Sequence, residues 1–139
     1  MNKPNFRSIQ TERLNLRPVQ DSDQSLVFQG LSDRDLTRFM LIHYSTLEAT
    51  SEQMEYYRKQ ISSGSGFYWV MEDRMEQTGL GVIGFNNLSI IHERAEIGFW
   101  ILSNHQRKGY VQEAAEALIR NAFIEQGFLR IEASVETDN

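Results

Sequence analysis

ERAEIGFWILSNHQRKGYVQEAAEALIRNAFIEQ, residues 93–126, decides the fold. ERAEIGFWIL alternates around β-branched and aromatic residues and reads as a strand. SNHQRKGYV is a short basic turn. In the segment that follows, Val111, Ala114, Ala115, Leu118, Ile119, Ala122 and Phe123 recur at helical spacing, a buried stripe with polar residues on the other side. A strand that passes through a glycine-bearing turn into a helix leaves backbone N–H groups unpaired at the helix start. Together with the positive end of the helix dipole they form a seat for phosphate. Gln106, Arg107, Lys108 and Gly109 place two cations and a residue without a side chain at that seat. The pattern predicts a diphosphate site; the plain alternative is a strand-to-helix turn and nothing more.

Working outward, Gly127 suits the end of the helix. FLRIEASV then reads as a strand, reached by a helical crossover and so parallel to the one before it. Upstream, GFYWVMED and GVIGFNNLSII read as strands separated by a polar turn around residues 76–79, an antiparallel meander whose connections are too short for crossovers. At the start, TERLNLRPV alternates, with Leu14, Leu16 and Val19 on one side, and Pro18 stops it. Asp21 with Gln24, then Ser32 with Asp35, look like capping boxes for two short helices. A third helix is expected over Leu47–Ile61, with Met54, Tyr57 and Ile61 on one face and SSGSG ending it. The sum is a single α+β domain, residues 1–139, around a mixed, mostly antiparallel sheet with flanking helices.

Residues 79–84, GLGVIG, match the dinucleotide fingerprint G-x-G-x-x-G. That motif needs a helix to start on the phosphates, and here strand follows, so a hairpin turn running into a strand is the better reading.

Composition narrows the classes. Hydrophobic residues are 40% and charged residues 24% of 139, ordinary for one globular domain. No apolar run approaches the ~18 residues of a membrane span, and the first residues lack a secretory apolar core. Cysteine is absent, which excludes disulfides, thiolate metal sites and a cysteine nucleophile. A net charge of −5 argues against general nucleic-acid binding. His43, His92 and His105 lack metal-ligand spacing, and no metal is expected. An intracellular, cytoplasmic protein is the expectation.

Gln106-Arg107-Lys108-Gly109-Tyr110-Val111 resembles the acyl-CoA signature of the GNAT acetyltransferase superfamily, Gln/Arg-x-x-Gly-x-Gly/Ala. TERLNLRP, AEIGFWIL, QEAAEALIRNAF and LRIEASVETDN resemble the branch that holds the ribosomal-protein N-terminal acetyltransferases, with element order agreeing along the whole chain. The resemblance implies transfer of an acetyl group from acetyl-CoA to a primary amine such as a protein N-terminus, by direct attack in a ternary complex. Residues 106–111 would hold the CoA diphosphate, and backbone at Ile101 and Leu102 the pantetheine, in a gap between the two parallel strands. Asn139 matches an asparagine that borders the pantetheine arm. Val111 departs from the pattern: a branched side chain there either crowds the diphosphate or packs beneath the helix start.

Glu96 shares its strand face with Gly98 and Trp100. A carboxylate on an apolar strand either pairs with a cation, here Arg94 or Arg13, or has a function; the resemblance implies a general base for the substrate ammonium. It also implies that Phe39, His43 and Tyr44 lie where relatives build the acceptor pocket, against loop packing as the plain alternative. Relatives continue past Asn139 with a helix, two more strands and a leaving-group acid, so the last helix and final strands are expected to be absent from this sequence. The open edge at Leu129–Val135 then invites pairing with a second copy. Two other classes stay open, a CoA-binding module without catalysis and a protein-interaction domain.

Overall fold

The computed structural model describes residues 6–89, 91–124 and 130–133. Among the described residues six strands form one sheet in sequence order: β1 (Ile9–Gln10), β2 (Leu14–Pro18), β3 (Phe67–Asp73), β4 (Gly79–Ser89), β5 (Arg94–Ile101) and β6 (Arg130–Ala133). Neighbours are antiparallel except β5 and β6, which run parallel. Between β2 and β3 lie α1 (Gln24–Leu31), α2 (Arg34–Thr37) and α3 (Ser51–Ser63). The crossover from β5 to β6 is α4 (Tyr110–Ile124). The mixed sheet is therefore as expected, and the meander occupies β3 to β5.

Strand alternation divides the apolar residues into two cores. One face carries Leu14, Leu16, Trp69, Ile83, Phe85 and Ile97 beneath Ala114, Leu118 and Ala122 of α4. Alanines in that stripe let the helix sit close to the sheet, and Val111, half-buried, packs into the same core. Val111 thus goes beneath the helix start. The other face carries Tyr68, Val70, Val82 and Trp100 under Val27 and Leu31 of α1 and Met54 and Tyr57 of α3. Each large side chain so buried contributes about 1.5–3 kcal/mol.

Several boundaries move. Asp23, not Gln24, closes the first capping box: its carboxylate accepts from the Gln20 N–H at 2.7 Å and from both Arg17 Nη atoms at 2.7 and 3.0 Å. Arg17 draws the acid inward, and so the cap shifts one residue earlier. Asp33, not Ser32, caps α2, accepting from the amides of Asp35 and Leu36. Val19 follows Pro18 and joins the opposite core from Leu14 and Leu16. A short 3-10 turn, Glu48–Thr50, precedes α3, and Gly64 at φ 78° ends it. Residues 79–84 lie in β4, and a Cβ at Gly81 would meet the Trp100 carbonyl oxygen at 2.2 Å. That glycine serves close strand approach, not phosphate. Gly127, Leu129, Asn139 and the side chain of Phe123 lie outside the described residues.

Candidate active site

β5 ends at Ile101 and a 3-10 turn, Ser103–His105, feeds the basic turn. Ser103 Oγ donates to Asp33 Oδ2 at 2.7 Å, tying this segment to α2. That bond holds the Asp33 carboxyl below its usual range against the opposing effect of burial, helped by the amides of Asp35 and Leu36. Arg107 and Gly109 then adopt positive φ, 63° and 81°. The first backbone bond of the helix start is Glu113 N–H to the Gly109 carbonyl at 3.1 Å. Among the described residues the amides of positions 107–112 make no backbone hydrogen bond onto a preceding carbonyl, and positions 106–109 are exposed. Exposed donors at a helix start, with Arg107 and Lys108 beside them, fit the charge and chemistry of a diphosphate.

A second set of contacts holds this turn from beneath. Arg13 Nε donates to Glu113 Oε1 at 2.7 Å and the Arg13 amide to Oε2 at 2.8 Å, while the Thr11 hydroxyl also donates to Oε2. Arg13 Nη1 reaches the Lys108 carbonyl at 2.9 Å, and its guanidinium lies 4.3 Å from the centre of the Tyr110 ring. Burial pushes the Glu113 carboxyl up, but the bonds from Thr11 and Arg13 outweigh it and hold the group below its ordinary value. The same pairing raises Arg13. Arg13 is therefore committed to Glu113 and not to Glu96.

Among the described residues, Arg94–Ile97 of β5 pair with Arg130–Ala133 of β6, and β5 runs on to Ile101. In the antiparallel ladder with β4, alternate β5 amides point toward and away from β4. Leu102 N–H donates to the Leu80 carbonyl at 2.8 Å, and its own carbonyl accepts from His105 N–H at 2.9 Å. Both backbone groups of Leu102 thus have a partner within the protein, and its carbonyl oxygen keeps a second lone pair. By the same alternation, Ile101 N–H turns away from β4. The Ile101 carbonyl accepts from Gln106 Nε2 at 3.4 Å, so the first residue of the signature is turned onto the strand end. The His105 ring stands edge-on to Tyr110, 6.4 Å between centres.

On the opposite face of the sheet from α4 lies a pocket of about 480 Å³. Tyr44, Tyr56, Tyr57, Tyr68 and Trp100 line it, with Glu52 as its charged side chain. Burial raises the tyrosine hydroxyls of Tyr44, Tyr57 and Tyr68, so all three are neutral donors at physiological pH. Of the expected acceptor residues only Tyr44 reaches this pocket, its hydroxyl donating to Gln53 Oε1 at 3.2 Å. Phe39 is 51% exposed, with the Arg38 guanidinium 5.0 Å from its ring centre. His43 Nδ1 is hydrogen-bonded to Thr37 Oγ1 at 2.8 Å. Neither lines the cavity: Phe39 faces solvent under Arg38, and His43 turns to Thr37.

Glu96 is half-buried, on the face of Gly98 and Trp100, and stands in register opposite Asn86 of β4. Among the described residues it forms no ion pair: Arg13 is held by Glu113 and Arg94 is exposed. Sequence reasoning missed Tyr56, Tyr57, Tyr68 and Asn86 as cavity residues. Strand parity put Asn86 on the Glu96 face only once the β4–β5 register was known.

The model of the acetyltransferase (GNAT) domain matches residues 13–139. The chain is 32% identical over 135 residues to the uncharacterized N-acetyltransferase YoaA of Bacillus subtilis (strain 168), covering 96% of this chain and 76% of that protein. A stretch of 51 residues is 39% identical to the ribosomal-protein-serine acetyltransferase of Escherichia coli (strain K12), covering 37% of this chain and 28% of that one. The fold superposes with a TM-score of 0.73, at 22% identity, on spermidine N-acetyltransferase from Vibrio cholerae in complex with CoA and spermine, covering 87% of this chain and 70% of that one. A strand, a basic turn with unpaired amides, and a helix, all in the order of that family and matched over nearly the full length, identify the chain as a member of the GNAT acetyltransferase family.

Proposed function

We propose that the chain moves an acetyl group from acetyl-CoA to a primary amine, such as a protein N-terminus, by direct attack in a ternary complex. The observation that carries this reading is the turn at 106–111, whose exposed amides open α4 directly after the strand that bears Glu96. Residues Gln106 to Val111 hold the diphosphate through backbone N–H groups and the charges of Arg107 and Lys108. Acetyl-CoA, when bound, supplies an activated thioester carbonyl. Ile101 N–H, turned away from β4, donates to the negative oxygen that develops during acyl transfer.

Glu96 acts as base or amine-orienting carboxylate, since only a neutral amine attacks a carbonyl carbon. The aromatic pocket on its face receives the body of the acceptor. Thiol release from acetyl-CoA, followed across a panel of primary amines, tests the reading: amine-dependent release is expected. Tight acetyl-CoA binding with no release on any amine would instead make this a CoA-binding module without catalysis.

A further inference from the structure

Asn86 projects from β4 on the pocket face, opposite Glu96 and beside Gly98. Its carboxamide is oriented by two phenols: Oδ1 accepts from the Tyr68 hydroxyl at 2.6 Å and from the Tyr56 hydroxyl at 3.3 Å. Those two bonds fill the lone pairs of the amide oxygen, so the nitrogen must face the other way. It lies over Gly98. A Cβ at that glycine would stand 2.7 Å from Asn86 Nδ2, and the next heavy atom, Asn86 Cγ, is 4.0 Å off. Among the described residues Nδ2 makes no hydrogen bond. A buried tyrosine, 4% exposed, thus fixes an amide whose N–H groups open onto the pocket, on a residue paired in register with Glu96.

We infer that Asn86 selects the acceptor, favouring amines whose amine-bearing carbon also carries a carbonyl group over plain alkyl amines and polyamines. The inference rests on the proposal that this pocket receives the acceptor. Side chains directly opposite on paired strands have Cβ atoms about 4.5–5.5 Å apart, so Glu96 and Asn86 reach one compact group together. The carboxylate takes the amine, and the Nδ2 donors take the neighbouring carbonyl. A polyamine offers only N–H groups to Nδ2, which leaves a desolvated donor unpaired. Sites built around such a donor discriminate against ligands that lack its partner.

Phenylalaninamide and phenethylamine test this, because they share one aromatic body and differ by the carboxamide. The wild-type kcat/KM is expected to favour phenylalaninamide by at least about tenfold. Asn86→Asp keeps an oxygen for both tyrosines but replaces the donor with an acceptor, and should bring that ratio to one or below. Gly98→Ala pushes the amide tip aside without touching backbone, and should lower the ratio while the melting temperature holds. A wild-type ratio at or below one, or a ratio unchanged in both variants, overturns the role of Asn86. If acetyl-CoA binds but neither amine is acetylated, it is the catalytic reading that fails. The selectivity is then read by calorimetry, as the ratio of the two amines' affinities for the acetyl-CoA-bound chain, and equal affinities overturn it.

Discussion

Gly109, at φ 81°, has room for a Cβ: its nearest neighbour, the flexible tip of Arg13 at Nη2, would stand 3.4 Å away, in ordinary contact. What the position demands is the left-handed backbone, not room. For a β-branched residue that conformation costs about 1–2 kcal/mol, and relief comes only by rotating the turn. Gly109→Val is therefore expected to fold with a lowered melting temperature yet lose the amide alignment. Acetyl-CoA should no longer raise its melting temperature; an intact shift in that variant would refute the cradle. Glu96 is argued at the same scale. Glu96→Gln should lower kcat/KM by about 10²-fold at low pH, where the amine is protonated, and by much less at high pH. A pH–rate profile parallel to that of wild type would remove Glu96 from proton transfer.

At the scale of elements, the start of β2 and the first turn of α4 are held together by Thr11, Arg13 and Glu113. These contacts carry the positive-φ turn from beneath through the Arg13 bond to the Lys108 carbonyl. Glu113 titrates below its ordinary value in the folded chain, so between the native and unfolded values the unfolded state holds more protons. Its contribution is complete above the ordinary carboxylate range and is lost as pH falls through the native value. Arg13 is partly exposed and screened, so Glu113→Gln should cost about 1–2 kcal/mol at neutral pH. Denaturant midpoints of variant and wild type should converge in acid; a pH-independent gap would show that the carboxylate charge is not what holds the elements.

For the whole molecule, the sheet joins two cores, one under α4 and one under α1 and α3. A ligand seated between the end of β5 and the start of α4 engages the first core and the sheet at once, so its binding should register in global unfolding. Acetyl-CoA at a hundredfold excess over its Kd stabilises by about 2.7 kcal/mol, which for a domain of this size is a melting shift on the order of 10 °C. Differential scanning fluorimetry checks it. A shift absent in wild type would sink the CoA site, whatever the amine chemistry.

Apart from the two-residue β1, which it missed, the sequence alone determined which segments are strands and helices, the parallel crossover into β6, and the signature turn, because each is written in residues adjacent along the chain. Alternation of two marks a strand face, spacing of three and four marks a helix face, and a glycine with two cations marks the turn. Capping shifted by a residue where Arg17 drew Asp23 inward, a contact that local spacing does not encode. The partner of Arg13 was likewise illegible: Glu113 lies 100 residues away, while Glu96 was as plausible by charge. Only the tertiary structure decided that Leu102 bonds to Leu80 and His105, that Tyr44 rather than Phe39 or His43 lines the pocket, and that Tyr56 and Tyr68 orient Asn86. Periodicity tells which face a side chain takes; strand register and helix packing decide what it meets there.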